Sequence, residues 1–179
     1  MTYLLEILKL LIPAGIAFAT SYFLVKAFLD NESRKRATEL RHQVNETLIP
    51  IRLQAYERLI IFLDRTNPES LVARIQKPGM SAAQLLQEIN QTVKAEFDHN
   101  VSQQIYVSPR AWEMVKISVT ETQKIFQLAA SKVDGTASCY LLGQIISQIS
   151  SQLLKLPAQA GTEYLNREVA LLFGIGGKG

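Results

Sequence analysis

Apolar positions recur at helical spacing along most of this 179-residue chain. Leu10 to Val25 reads LLIPAGIAFATSYFLV, with no charged residue. Tyr3, Leu4, Leu5, Ile7 and Leu8 extend the run upstream, and Ala27, Phe28 and Leu29 extend it downstream. The 16 uncharged positions cover about 24 Å as a helix, and the flanks supply the rest of a ~30 Å hydrocarbon core. The pattern predicts a transmembrane anchor over residues 1–29. Between Asn31 and Arg65 the apolar residues Leu40, Val44, Leu48, Ile51, Ala55, Leu59 and Phe62 advance in steps of 4, 4, 3, 4, 4 and 3. That eleven-residue period is close to the natural pitch of a straight helix. Pro50 removes one backbone hydrogen bond and predicts a kink in a long juxtamembrane helix over 30–65.

Asn67-Pro68 ends this element. Leu71, Val72 and Ile75 suggest a short helix, and Lys77-Pro78-Gly79 a turn. Ser81 with Gln84 is a capping-box signature, followed by Leu85, Ile89, Val93, Phe97 and Val101 at helical spacing. Ser102 to Val107 reads as a connection with an extended end. Ser108-Pro109 starts another helix, with serine as cap and proline in the first turn. Asp134-Gly135 closes it. Ser138 to Leu156 and Pro157 to Phe173 give two more. The predicted architecture is all-α: an N-terminal transmembrane helix followed by a cytoplasmic bundle of four or five helices. The bundle domain spans 66–173 and packs on the long helix, and a flexible tail occupies 174–179.

Charge adds an orientation. Lysine and arginine number 19 and aspartate and glutamate 16, a net charge of +3 that is too small to indicate nucleic-acid binding. Lys26, Arg34, Lys35 and Arg36 follow the predicted span, with Arg41 close behind. The positive-inside rule then predicts an N-terminus outside and a C-terminal domain in the cytoplasm. The same cations would meet lipid headgroups. Gly15 and Ala19, like Ala17 and Ser21, are four apart, a spacing that lets helices approach closely in a bilayer. The single cysteine, Cys139, forms no intramolecular disulfide, and its sequence neighbours include no cation to stabilise a thiolate.

Both histidines sit in Glu-x-x-His, as Glu39…His42 and Glu96…His99. Glutamate and histidine three apart share a helix face, and two such motifs with two further glutamates build carboxylate-bridged di-metal centres. The two motifs fall roughly 7 Å out of register if their helices pair antiparallel, which counts against such a centre. No other pattern indicates a catalytic residue, a cofactor or a small-molecule substrate. The tail GIGGKG lacks the Lys-Ser/Thr ending of a phosphate loop.

Four stretches carry a resemblance: PIRLQAYERLIIFLDR (Pro50–Arg65), PGM (Pro78–Met80), EFDHNVSQQIYVS (Glu96–Ser108) and the KLP…FG closing region (Lys155–Gly174). In these the chain resembles a family of uncharacterised single-span proteins associated with Bacteroidetes-type bacteria. The resemblance implies an anchor followed by a helical domain, and it supplies no activity.

Two of these stretches are unusually polar. Gln54, Tyr56, Glu57 and Arg58 crowd one helix, and Asp98, His99, Asn100, Gln103, Gln104 and Tyr106 crowd one junction. Such residues serve either as a buried hydrogen-bond network or as a docking surface for a protein partner or second copy. With the resemblance, the expected function is therefore a non-enzymatic, membrane-anchored scaffold or accessory subunit of a protein complex of the bacterial inner membrane. A di-metal protein and a sensor of anionic lipid are the alternatives.

Overall fold

The computed structural model describes residues 2–174, with the side chains of 2–12, 14, 37 and 40–44 excluded. The elements are α1 (Thr2–Arg65), α2 (Pro68–Ile75), α3 (Ala82–Asn100), a 3₁₀ helix (Val101–Ile105), α4 (Pro109–Ala130), α5 (Cys139–Ser151) and α6 (Pro157–Phe173). The all-α expectation holds, with the short α2 and the 3₁₀ helix among the elements. The 3₁₀ helix stands where the sequence suggested an extended connection, and α5 ends five residues before Leu156. Helical structure continues through Pro50.

The chain divides into two compact units, Met1–Leu48 and Ile49–Gly179. The first consists of α1 alone. Its hydroxyls donate back along the helix, Thr20 Oγ1 to the Ile16 carbonyl and Ser33 Oγ to the Leu29 carbonyl, each at 2.8 Å. Arg36 pairs with Glu32 at 3.1 Å. Phe18, Phe23, Leu24 and Phe28 are each about two-thirds or more exposed.

The expectation of a membrane span is overturned. Among the described residues no helix is long and apolar enough to cross a membrane. The physical reason is in the flanking charges. Lys9 and Lys26 confine the uncharged run to 16 residues, about 24 Å against a ~30 Å hydrocarbon core, and Thr20 and Ser21 dilute it further. Gly15, Ala17, Ala19 and Ser21 lie exposed, and a Cβ added to Gly15 would meet nothing within 4 Å. Lys26, Arg34, Lys35 and Arg36 are exposed as well.

The second unit is the helical bundle. Caps fix where its helices begin, because the first amides of a helix lack partners within it. Asn67 accepts from the Glu69 amide, and Pro68 opens α2. The capping box of α3 is complete: the Gln84 amide donates to Ser81 Oγ at 3.2 Å, and the Ser81 amide donates to Gln84 Oε1 at 2.9 Å. Ser108 caps α4 by accepting from the Ala111 amide at 3.0 Å. Gly174, at φ 63°, ends α6 in the left-handed region that favours glycine.

One core results. α1 contributes Leu59, Phe62 and Leu63, α3 Leu85, Ile89 and Val93, α4 Ala111, Val115 and Phe126, α5 Leu142 and Ile146, and α6 Leu165. Among its described side chains, the eleven-residue stripe of α1 is buried toward its C-terminal end. Ala55, Leu59 and Phe62 are buried, whereas Leu48 and Ile51 are about 40% exposed. A short clasp joins the start of α3 to the α4–α5 connection. The Ala82 amide donates to the Ala137 carbonyl at 2.8 Å, and the Cys139 amide to the Met80 carbonyl at 3.1 Å. Cys139 is fully buried, its thiol 3.4 Å from the Lys77 carbonyl.

α6 reaches α4 at Gly161. A Cβ there would overlap Ser118 Oγ and come within 2.8 Å of Leu63 Cδ1. Gly161→Ala is therefore expected to lower the urea midpoint by the equivalent of about 1–3 kcal/mol, the usual cost of overpacking. Adding Ser118→Ala should recover part of the loss, and chemical denaturation of both variants measures it.

Candidate functional site

Two places in the bundle bring chemistry-bearing side chains together. The first is the polar junction after α3. Arg52 and Tyr56 stand one turn apart on α1 and face both the Tyr106–Ser108 connection and the end of α6. Arg52 Nε donates to the Tyr106 carbonyl at 3.0 Å, and its guanidinium lies 5.6 Å from the centre of the Phe173 ring. The Tyr56 hydroxyl donates to Glu168 Oε1 at 2.7 Å and accepts from the Ser108 amide at 3.4 Å. The Tyr56 ring meets Phe173 edge-on at 6.4 Å.

This setting acts on the phenol. Burial raises the Tyr56 pKa, and the hydrogen bond to the Glu168 carboxylate raises it further. The Ser108 amide opposes both, and the result is about 12 against an ordinary 10.0.

The remaining polar residues divide by burial. Asn100 and Gln103 are buried. Asn100 Nδ2 donates to the Glu96 carbonyl at 2.8 Å, and Gln103 Nε2 to Ser102 Oγ at 3.4 Å. Tyr106 is half-buried, while Gln54, Glu57, Arg58, Asp98, His99 and Gln104 are exposed. Asp98 pairs along its own helix with Lys94 at 2.6 Å. Val101 and Ile105 lie among these residues, Ile105 at 72% exposure. The predicted set thus separates into buried and exposed members.

Little at this junction favours a metal. Glu96 forms an ion pair with Arg65 at 3.1 Å, so a cation already occupies its carboxylate. Glu39 and His99 are exposed, and the side chain of His42 lies outside the described residues. Among the described residues no group of three histidine, cysteine, aspartate or glutamate side chains is placed to hold a metal.

The second place is a groove of about 820 Å³ between α3 and α4. Val93, Phe97 and Val119 line it, with Asn90, Thr120, Gln123 and Gln127 beside them. Lys94, Lys116 and Lys124 stand at its edge, opposed among the lining residues by Asp98 alone. Phe97 links the groove to the core, since its ring lies 6.3 Å from Phe62 and 5.6 Å from Trp112. Sequence reasoning missed this groove. The signal present was a run of polar residues on one face of α4, Lys116, Thr120, Gln123, Lys124 and Gln127. Any solvated helix face looks similar.

Over residues 2–172 the chain belongs to a family of unknown function, DUF7935. No curated protein and no solved structure matches it significantly.

Tyr56→Phe removes a buried hydroxyl and leaves Glu168 and the Ser108 amide without that partner. The expected loss is about 1–2 kcal/mol at neutral pH. A phenol whose pKa is raised on folding contributes stability that is intact below its unfolded value and lost as pH rises through the folded one. The wild-type advantage should therefore be constant up to about pH 10 and shrink between 10 and 12. Denaturation of the pair across that range measures it.

Proposed function

We propose that this member of DUF7935 is a non-enzymatic helical docking module, an accessory or scaffold subunit that binds another protein through the outer surface of the α3–α4 junction. The observation that carries the reading is the division of the polar junction. Tyr56, Asn100 and Gln103 are buried, while His99 and Gln104 are exposed in the same segment as the exposed Val101 and Ile105, and Gln54 and Arg58 are exposed on α1. Exposed apolar side chains ringed by hydrogen-bonding groups on a rigid support are what a protein interface requires.

The support is rigid for a stated reason. Arg52 and Tyr56 bond to the connection that leads out of the 3₁₀ helix. Docking then costs little ordering entropy on this side, which favours binding. The partner suited to such a surface presents one or two apolar side chains flanked by groups that bond to amides. In a bacterial cell, the setting implied by the sequence resemblance, that partner is another subunit of a complex.

Site-specific photo-crosslinking in the native host tests this. A benzophenone side chain at Gln54, Arg58 or Gln104 should give one adduct of defined mass. The same probe at Gln148 or Gln152, exposed positions of α5 and its end, should not. Adducts of equal yield at all five positions, or at none, would refute the reading.

A further inference from the structure

Between positions 13 and 30 of α1, every residue whose side chain is described is exposed. The eight large apolar residues from Ile16 to Leu29 each keep 57–75% of their surface open. Together they present on the order of 900 Å² per chain, taking an aromatic side chain at roughly 150–250 Å². The largest apolar patch on a typical monomer is about 300–600 Å². A helix in water gains little from its own backbone bonds and depends on the packing of an apolar face. The unit Met1–Leu48 contains α1 alone, so it has no second element of its own to supply that packing.

The spacing of these residues specifies what covers them. Phe18, Tyr22, Val25 and Leu29 advance by 4, 3 and 4. In the sequence the same alternation runs back through Gly15, Leu11, Leu8 and Leu4. These positions keep a period of 3.5 residues, the heptad repeat by which one helix packs along another of the same period. The stripe that α1 buries in the bundle, through Ala55, Leu59 and Phe62, follows the eleven-residue period instead. No charged residue falls on the heptad seam, and Glu6, Pro13 and Thr20 recur every seven residues at the register position opposite it.

We infer that this segment of α1 pairs with the same segment of a second copy of the chain, as a coiled coil with Phe18, Tyr22, Val25 and Leu29 at its centre. A second copy carries the matching period by construction. The positions flanking a heptad seam set partner choice by their charges. Here only Lys26 among them is charged, so they neither demand a different partner nor set like charges repeatedly against each other. The exposed area agrees, since a stable interface buries about 800 Å² per partner. The inference goes beyond the docking reading and uses no residue of the α3–α4 junction.

Light scattering after gel filtration of the full chain in detergent-free buffer tests it. The wild type should run at twice the 20.0 kDa of one chain, or at a higher whole multiple. Tyr22→Glu or Val25→Glu places a charge in the seam and should weaken association about a hundredfold or more. Thr20→Glu and Phe23→Glu place the same charge outside it and should leave the affinity within about threefold. Trp112, the single tryptophan, lies in the bundle, and its emission checks that the second unit of each variant is folded.

A monomer at every concentration overturns the inference. Equal weakening by Phe23→Glu and Tyr22→Glu also overturns it, because apolar surface would then act without the register. So does flotation on phosphatidylcholine vesicles as a species that an amine crosslinker does not join into pairs, which assigns the surface to lipid. None of these outcomes touches the photo-crosslinks from Gln54, Arg58 and Gln104, so the two readings fail separately.

Discussion

The hydroxyl of Tyr56 lies between the Ser108 amide and the Glu168 carboxylate, with its residue only 1% exposed. A buried hydroxyl without partners destabilises a fold, whereas a paired one specifies which groups must meet. Here the specified groups come from α1, the connection before α4, and α6. Arg52 repeats the arrangement one turn away, bonding to the Tyr106 carbonyl and covering Phe173. Two side chains of α1 therefore register three parts of the bundle against one another. The apolar core of Leu59, Phe62 and Leu63 supplies the driving force, but apolar packing alone tolerates sliding along a helix axis.

That registration explains the division of the polar junction. A chain segment leaving α3 through a 3₁₀ helix has backbone groups to satisfy and little regular structure to satisfy them. Asn100 returns to the Glu96 carbonyl, and Tyr106 and Ser108 are held from α1. The outer side chains Gln54, Glu57, Arg58, His99 and Gln104 stand in water. Gln104 and Ile105 are hard to account for as packing residues, because the core lies on the opposite side of the segment.

Much of the bundle could be read from the sequence, because its signals are local. Ser81 with Gln84, Ser108 with Pro109, and Asn67 with Pro68 each announce a helix start through a bond that spans three residues or fewer. The stripe through Ala55, Leu59 and Phe62 gave the buried face of α1. What could not be read depends on distance. Tyr56 and Glu168 are 112 residues apart, and nothing in either neighbourhood announces the other. The N-terminal run misled for the opposite reason. A local pattern of greasy residues resembles a membrane span, and only the length between Lys9 and Lys26 argues otherwise.

The groove and the close packing of α4 on α6 have a common origin in side-chain size on the two sides of α4. Toward α6 stand Ser118 and, facing it, Gly161, so small that a single Cβ would collide. Toward α3 stand Val119, Gln123 and Gln127, opposite Asn90, Lys94 and Phe97. Amides and ammonium groups resist removal from water unless every donor finds an acceptor, so these two helices do not close over them. The space left lies over Val93 and Val119, which the core already covers, and over Phe97, which it covers in part.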